Sequence, residues 1–237
     1  MARILIVNAD DFGQSAGINR GVVEAYENGI VTSASLMVCW SAAATAAAYA
    51  RRNPGLAVGL HVDLGESIYR NGTWTTLYER VDASDPEAVE REIRTQLERC
   101  CGLLSRMPTH IDSHQHVHRR DPARSILARI AAELHVPLRH FTPGVRYCGD
   151  FYGQTAQGQP LPDRIATPAL VALLGQLPEG ATELACHPGY ADDFESMYDL
   201  ERTVELRALC APEVRHALLK EDICVVSFGQ LAFGQVV

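Results

Sequence analysis

The sequence predicts an α/β protein with a mostly parallel sheet, and three observations support this fold class. Seven short apolar runs alternate with helix-like segments, which is the order expected when helices connect parallel strands. Most of the runs are almost continuously apolar, as is typical of strands buried on both faces of a sheet. The length of 237 residues fits one α/β barrel of about 200 to 250 residues. We therefore expect one domain over residues 1–237.

The predicted elements cover most of the chain. The runs that we interpret as strands are Arg3–Val7, Ser35–Val38, Ala57–Leu60, Thr109–Asp112, Leu138–Phe141, Thr182–Ala185 and Ile223–Ser227. The helix-like segments are Ala16–Asn28, Ala42–Arg52, Pro86–Arg106, Pro122–Leu134, Pro168–Leu177 and Glu195–Leu219, the last expected to break at Pro212. The one long stretch with neither pattern is Gly144–Arg164, and its length predicts a lid or a binding loop.

Three of the helices have a start signal. Asp85-Pro86, Asp121-Pro122 and Thr167-Pro168 each place a capping residue before a proline at the first helical position. No G-x-G-x-x-G follows the first strand, which weakens the hypothesis of a dinucleotide-binding sheet. The pattern alone leaves a closed barrel and an open doubly wound sheet as alternatives.

The composition excludes several classes of protein. Hydrophobic residues make up 47% of the chain and charged residues 21%, which excludes a mostly disordered protein. The net charge of −8 argues against a partner that is duplex nucleic acid, because such binding needs a basic face. No apolar run reaches the roughly 18 residues of a transmembrane helix, so we expect no membrane span.

The cysteines and the first strand predict a cytoplasmic protein. The seven cysteines are an odd number without C-x-x-C spacing, so we expect reduced thiols rather than disulfides or a structural zinc site. The apolar run Ile4–Val7 is too short for the core of a signal peptide.

Polar side chains follow the predicted strands in an ordered way. In chain order they are Asn8, Asp10, Asp11, His61, Asp112, His114, His116, His118, Arg139, His140 and His187, with Arg139 and His140 inside the fifth predicted strand. The carboxyl ends of parallel strands open on one face, where active sites form. We therefore expect these residues to converge, and their convergence is the main argument for an enzyme.

Asp10 and Asp11 are a candidate pair at the end of the first strand. Neighbours on an extended chain point to opposite sides, so one could ligate a metal while the other reaches the space beside it. The alternative is a simple turn, because Asp is common in loops.

Three histidines follow the fourth strand at a spacing of two. If the chain stays extended, this spacing places His114, His116 and His118 on one face, and imidazole is a common transition-metal ligand. Asp112 is expected to accept a hydrogen bond from a ligating ring and to orient it. The alternative is a metal-binding patch without function.

Two further histidines and an aromatic pair are weaker candidates. His61 taken alone is more typical of a hydrogen-bonded core or surface residue than of a metal ligand. His187 precedes a Pro-Gly turn that would present its ring at the mouth of a site, with a packing role as the alternative. We do not expect Cys186 to pair with His187 as a nucleophile, because neighbours in a strand face apart. Phe151 and Tyr152 could stack on a sugar ring or anchor their loop in the core.

Five segments resemble a known family. They are Asn-Ala-Asp-Asp-Phe-Gly at 8–13, Gly-Leu-His at 59–61, Pro-Thr-His-Ile-Asp-Ser-His-Gln-His-Val-His at 108–118, Phe-Tyr-Gly at 151–153 and Cys-His-Pro-Gly at 186–189. Together they resemble the YdjC family of carbohydrate deacetylases, which includes chitooligosaccharide deacetylases and deacetylases associated with hopanoid biosynthesis. The matches follow the family order over most of the chain, and the two longest motifs are specific.

The resemblance implies a fold, an activity and a set of site residues. The fold would be a distorted, incomplete (β/α) barrel of the glycoside hydrolase/deacetylase type with about seven parallel strands. The activity would be metal-dependent removal of the acetyl group from an N-acetylated sugar, such as an oligosaccharide or glycoconjugate containing N-acetylglucosamine. The implied metal ligands are Asp11, His61 and His114, the implied base is Asp10 and the implied acid is His187. The expected substrate-binding or supporting residues are Arg139, His118, Phe151 and Tyr152.

The chemistry of amide hydrolysis fits these residues. One divalent ion, held by a carboxylate and two imidazoles, would lower the pKa of a bound water towards about 7 and polarise the acetyl carbonyl. Asp10 would accept the proton of the water, and His187 would donate a proton to the departing nitrogen. Arg139 would keep Asp10 ionised through a charge-assisted hydrogen bond. A carboxylate with imidazoles suits Zn²⁺, whereas the resemblance favours Mg²⁺.

Two alternatives stay open. A metal-dependent phosphoesterase also uses Asp and His clusters, but it needs two ions about 3.5–4 Å apart, and a second ion at His116 or His118 would favour it. A non-enzymatic sugar-binding or metal-binding relative would need neither Asp10 nor His187. The expected partner is an N-acetylated sugar, and we expect neither a nucleic-acid partner nor a membrane span. The sequence leaves the oligomeric state open, and a homodimer is one possibility.

Overall fold

The computed structural model describes residues 2–193 and 196–231. In chain order its elements are β1 (Arg3–Phe12), α1 (Ala16–Glu27), β2 (Ser33–Leu36), α2 (Ala43–Arg52), β3 (Ala57–Val62), β4 (Gly65–Arg70), β5 (Thr73–Glu79), α3 (Pro86–Leu104), β6 (Ile111–Ser113), α4 (Ala123–Leu134), β7 (Val145–Cys148), α5 (Thr167–Gly175), β8 (Gly180–Cys186), α6 (Leu200–Cys210), α7 (Pro212–Lys220) and β9 (Ile223–Val226). Short 3₁₀ helices cover His114–Arg119 and Pro162–Arg164.

Seven parallel strands of the described chain form the main sheet. Their order is β6-β3-β2-β1-β8-β7, and β9 also pairs with β1. β8 runs along one edge of β1, whereas the other edge is shared by β9, which pairs with Arg3–Ile6, and by β2, which pairs from Asn8 onwards. β1 is therefore the central strand, and its carboxyl end lies in the middle of the sheet.

The sheet curls into an incomplete (β/α) barrel, which confirms the predicted fold class. At one edge β7 pairs with β8, and at the other edge β6 is followed by a single parallel bridge between Ile111 and Leu138. Residues 139–144 connect these two edges without a strand. We call this connection the seam of the barrel.

The predicted strand Leu138–Phe141 is wrong beyond its first residue. The side chain and backbone of Thr142 bond to the amide and carbonyl of Leu138, so the chain turns back instead of extending. The strand that follows in the sheet is β7 (Val145–Cys148), which lies within the stretch Gly144–Arg164 that the sequence predicted to be irregular.

An antiparallel hairpin of β4 and β5 was not predicted. Its strands meet at Asn71-Gly72, where both residues have positive φ angles of 52° and 82°. This is the geometry that Asn-Gly favours in tight hairpins, so the local signal was present in the sequence. Buried Asp63 secures the base of the hairpin, because it accepts hydrogen bonds from Tyr78 (3.0 Å) and Arg80 (2.7 Å).

The helices lie close to the predicted positions. Asp85 caps α3 by accepting hydrogen bonds from the amides of Glu87 and Ala88, as predicted, whereas Thr167 makes no capping bond and lies inside α5. The predicted break at Pro212 is confirmed, since it separates α6 from α7. The start predicted at Glu195 lies outside the described residues, and α6 begins only at Leu200.

The side chains of β1 alternate between two environments. Leu5, Val7 and Ala9 are fully buried in the main hydrophobic core, whereas Ile6 packs in a separate small cluster with Ala57 and Phe228. Because side chains alternate along a strand, Asn8 and Asp10 share the face of Ile6. This face carries polar groups into the barrel towards the carboxyl end of the sheet.

Two further sequence-based expectations concern helices and cysteines. Among residues 2–193 and 196–231 there is no helix with the length and hydrophobicity needed to cross a membrane. All seven cysteines are free thiols in the structure, as the sequence predicted.

Candidate active site

A cavity of about 760 Å³ opens at the carboxyl ends of the strands. It is lined by residues from β1, β3, the hairpin, the segment after β6, the loop after β7 and the chain around α6. Those that the sequence singled out are Asp10, Asp11, His61, His114, His116, Phe151, Tyr152 and His187. The expected convergence of these polar residues is therefore observed.

Asp10 and Asp11 both line this cavity, although neighbours on a regular extended strand would point to opposite sides. Asp11 has a left-handed backbone with φ of 63°, and the pairing of β1 with β2 shifts register between Ala9 and Phe12. The irregularity breaks the alternation of side chains. Asp tolerates this conformation better than most residues, which is a local reason for the residue type.

Asp11, His61 and His114 form a compact group of potential metal ligands. One ligand atom of each lies within 4.8 Å of those of the other two. The Oδ1 atom of Asp11 is 3.4 Å from Nε2 of His61 and 3.2 Å from Nδ1 of His114. Its other oxygen, Oδ2, accepts a 2.7 Å hydrogen bond from Arg202. Arg202 thus fixes the carboxylate with Oδ1 turned towards the two rings.

Each of the two rings has a second carboxylate at its other nitrogen. Nδ1 of His61 is 2.7 Å from Oδ1 of Asp112, and Nε2 of His114 is 3.6 Å from Oε2 of Glu66. Burial alone would lower the pKa of both rings, but the carboxylates outweigh it and raise the pKa of His61 to about 10 and that of His114 to about 9. The group is therefore an environment that favours positive charge, from protons or from a cation.

Arg139 organises the carboxylates beneath the cavity, as predicted for Asp10. Its Nη1 and Nη2 atoms donate to both oxygens of Asp10 at 2.7 Å, Nη2 also lies 2.7 Å from Asp112, and Nε donates to Glu183. Burial opposes the charge on Asp10, but the attraction of Arg139 outweighs it and keeps the pKa of Asp10 below its ordinary value. Asn8 adds a 2.8 Å hydrogen bond to Oδ1.

A second potential ligand group overlaps the first. It consists of Asp10, His61 and Asp112. Its carboxylates are already committed, because Arg139 occupies both oxygens of Asp10 and Asp112 bonds to Arg139 and His61. Asp11 instead directs one oxygen at two imidazoles. The donor set that fits a cation best is therefore the group that contains Asp11.

His187 lies on the other side of Asp10, at the end of β8. Its Nε2 atom is 3.9 Å from Oδ2 of Asp10, and its Nδ1 atom is 3.8 Å from Oε1 of Glu205. Glu205 also accepts hydrogen bonds from the His187 amide and the Tyr198 hydroxyl. The ring therefore lies between two carboxylates, and the backbone amide of His187 is fixed by its hydrogen bond to Glu205.

Cys186, next to His187, takes no part in this arrangement. It is fully buried, and its thiol donates to the carbonyl of Asn8 at 3.4 Å. Burial raises the pKa of the thiol well above its ordinary value. The sequence-based decision against a Cys–His nucleophile agrees with this geometry.

The expected single face of His114, His116 and His118 is wrong. β6 ends at Ser113, and the next residues form a 3₁₀ helix in which Gln115 and His116 adopt left-handed conformations. This turn separates the rings. His114 joins Asp11 and His61, whereas His116 and His118 lie against His140.

Phe151 and Tyr152 have different environments. Phe151 is 1% exposed, which fits the anchor of the loop. Tyr152 is 38% exposed and stacks on Tyr198, with ring centroids 4.7 Å apart and planes 12° apart. Its ring also lies 5.5 Å from that of His187, so Tyr152 offers an aromatic surface at the cavity.

Sequence reasoning missed Glu66, Arg202 and Glu205. Glu66 lies on the unpredicted hairpin, in a segment where no motif was found. Arg202 and Glu205 are buried on α6, whereas charged residues on a helix are more often a solvated face. No local signal separates those two residues from ordinary surface charges.

The sequence matches one family model over most of its length. Residues 4–220 match the family described as YdjC-like protein. A carbohydrate deacetylase of Geobacillus stearothermophilus is 33% identical over 253 residues, which cover 97% of this chain and 98% of the relative. A chitooligosaccharide deacetylase of Escherichia fergusonii is 34% identical over 249 residues, with 96% and 99% covered.

Solved structures share the fold. A protein of Enterococcus faecalis, described as a proposed cellobiose-phosphate cleavage protein, has a TM-score of 0.76 at 24% identity and covers 98% of this chain and 100% of its own. A family 4 carbohydrate esterase from Streptomyces lividans, solved with acetate, has a TM-score of 0.57 at 14% identity and covers 94% and 91%. The incomplete barrel is therefore common to these proteins.

Proposed function

The chain belongs to the YdjC-like protein family, and from this premise we propose that it hydrolyses the acetamide of an N-acetylated sugar. The two curated relatives are named carbohydrate deacetylase and chitooligosaccharide deacetylase. The observation that carries the proposal is the convergence of Asp11, His61 and His114 on one side of Asp10, with His187 on its other side. This arrangement supplies the groups that amide hydrolysis needs.

Asp11, His61 and His114 would hold one divalent metal ion, Zn²⁺ or Mg²⁺. Three ligand atoms within 4.8 Å of one another and nearby negative charge fit a cation with one carboxylate and two imidazole ligands. When bound, the ion would acidify a water molecule and polarise the acetyl carbonyl. Asp112 and Glu66 would orient the two rings through their second nitrogens.

Asp10 is the proposed general base. Its carboxylate lies beside the ligand group, and Arg139 keeps it ionised and fixed with two hydrogen bonds of 2.7 Å. An ionised, oriented carboxylate can accept the proton of the attacking water. The contact with Arg139 supports a role in proton transfer rather than in coordination.

His187 is the proposed general acid. Its Nε2 atom faces the cavity 3.9 Å from Oδ2 of Asp10, and its Nδ1 atom lies 3.8 Å from the carboxylate of Glu205. A proton on Nε2 can pass to the nitrogen of the sugar as the C–N bond breaks. The products would be the free amine and acetate.

The cavity wall would bind the sugar itself. Tyr152 presents an exposed ring face next to His187, and Trp74 on the hairpin is 56% exposed and lines the same cavity. Aromatic faces bury the apolar face of a sugar ring.

We propose a cytoplasmic location on the basis of the seven free thiols.

A screen of N-acetylglucosamine compounds of increasing length tests the function. Acetate release should be abolished by a chelator, restored by a divalent ion and lost in Asp10→Asn. A parallel screen of phosphate esters tests the phosphoesterase alternative. Release of phosphate without release of acetate from any acetylated sugar would contradict the proposal.

A further inference from the structure

Three histidines form a second cluster beside the seam of the barrel. His116 and His118 come from the 3₁₀ segment after β6, and His140 comes from the seam itself. The ring centroids lie 5.5, 5.3 and 5.3 Å apart, and one nitrogen of each ring lies within 4.8 Å of one nitrogen of each of the others. These rings share no residue with the group around Asp11, and no carboxylate belongs to both groups, so an ion among them would not form the two-metal centre expected of a phosphoesterase.

Each ring retains a buried nitrogen without a hydrogen-bond partner among the described residues. These atoms are Nδ1 of His116, Nε2 of His118 and Nε2 of His140, and the side chain of His118 is fully buried. Burial of a polar atom without a hydrogen-bond partner destabilises a folded protein. Three such atoms on adjacent rings therefore require a common explanation.

The hydrogen bonds at the other nitrogens of His118 and His116 are compatible with a free lone pair on the unpaired nitrogen of each ring. Nδ1 of His118 is 2.6 Å from the hydroxyl oxygen of Ser113, which also accepts from the His118 amide. If the ring donates its Nδ1 proton to that oxygen, Nε2 is unprotonated and can ligate a metal. Nε2 of His116 lies 3.3 Å from the hydroxyl oxygen of Tyr147, and if Nε2 donates its proton to that oxygen, Nδ1 is unprotonated and can ligate a metal.

The backbone adopts unfavourable conformations at two of the three histidines. His116 has a φ of 53° and His140 a φ of 68°, and the left-handed region is sterically unfavourable for residues other than glycine. Both residues carry rings of the cluster, so tertiary contacts hold the chain in the turns that bring the rings together.

We propose that His116, His118 and His140 form a second metal site, which binds Zn²⁺ through three imidazole nitrogens. The absence of a carboxylate among the three disfavours Mg²⁺ and Ca²⁺, which prefer oxygen ligands. The nearby positive charge of Arg139 is offset by its bonds to Asp10 and Glu183. A bound ion would tie the segment after β6 to the seam, where no strand pairing between described residues joins the two edges of the barrel.

The test is the number of zinc ions bound by the chelator-treated full-length protein. We expect two equivalents in the wild type and one in His116→Asn and in His140→Asn. Asn is chosen because it tolerates the left-handed backbone and removes the imidazole. His216→Asn replaces an exposed histidine on α7 and should retain two equivalents.

A second arm separates this site from the proposed active site. His61→Ala should keep one equivalent of zinc, and adding His140→Asn to it should remove that equivalent. In crystals soaked with zinc, anomalous scattering should place an ion among the three rings. The proposal is overturned if His116→Asn and His140→Asn bind as much zinc as the wild type, or if the anomalous signal shows no ion among the three rings. Each of these outcomes is independent of whether acetate is released.

Discussion

The Oδ2 atom of Asp10 lies 3.9 Å from the Nε2 atom of His187. These two groups come from the carboxyl ends of adjacent strands, β1 and β8. On the side away from the other group, Asp10 has a basic neighbour and His187 has an acidic neighbour. Arg139 bonds to Asp10, and Glu205 lies next to His187. This geometry places a carboxylate and an imidazole on either side of one small volume at the cavity.

The two neighbouring aspartates should respond differently to loss of charge. Asp10→Asn should keep near-normal metal content and substrate affinity while kcat falls by about 10²–10⁴, because only a proton acceptor is removed. Asp11→Asn should lose metal, with activity partly restored by excess ion, because a neutral oxygen attracts a dication less. Metal analysis and steady-state kinetics of both variants check this. The opposite pattern would exchange the roles of base and ligand.

Loss of an imidazole ligand should remove the ion and the activity together. We expect His61→Ala and His114→Ala to lose the ion held with Asp11, whereas His118→Ala should keep it, because His118 belongs to the other cluster. Metal analysis combined with anomalous diffraction assigns each ion to its place. Full occupancy of the Asp11 group in His61→Ala would refute the assignment.

Glu66 should act through His114. Glu66→Gln should weaken metal affinity by about 10–100-fold, since carboxylates that orient ligating rings contribute this much, and excess ion should restore kcat. Glu79→Gln, an exposed change on the same hairpin, is the matched control. Titration with metal gives the affinities. Equal affinities in the two variants would limit Glu66 to a structural contact.

Tyr152 should contribute to substrate binding with little effect on folding. Tyr152→Ala should raise KM by an amount equivalent to about 1–3 kcal/mol of lost apolar burial, whereas Tyr152→Phe keeps the ring and should change KM little. Thermal unfolding should give nearly the same Tm for all three proteins. A large drop in Tm with unchanged KM would indicate that Tyr152 only supports the loop.

His110 should make the protein less stable in mild acid. Burial lowers the pKa of this ring from 6.5 to about 4, so the unfolded chain binds the proton more readily than the folded chain. The contribution of His110 to the free energy of unfolding is complete above about pH 6.5 and decreases as the pH falls. It levels off below about pH 4, after a total loss of about 3 kcal/mol. Urea unfolding between pH 4 and 7 should show a shallower dependence in His110→Gln. Parallel curves for the two proteins would exclude this contribution.

Local patterns in the sequence determined the fold class and most of the candidate residues. Runs of apolar residues mark buried strands, and the polar residues that follow them reach one face because parallel strands share their direction. Asp10, Asp11, His61, His114 and His187 were found in this way, and the contact of Arg139 with Asp10 was correctly predicted. Asp112 was expected to bond to a ligating ring, and the structure shows that this ring is His61. The Asn71-Gly72 dipeptide was also a local signal for the tight hairpin, although the hairpin was not predicted from the sequence.

Only the tertiary structure decided how these residues are divided among sites. The left-handed turns at Gln115 and His116 send His114 to one cluster and His118 to another, although the sequence spacing made them equivalent. Likewise, Arg202 selects which oxygen of Asp11 faces the rings, and Glu205 faces His187. These side-chain arrangements depend on contacts between segments that are distant in the chain, so the periodicity within one segment cannot predict them.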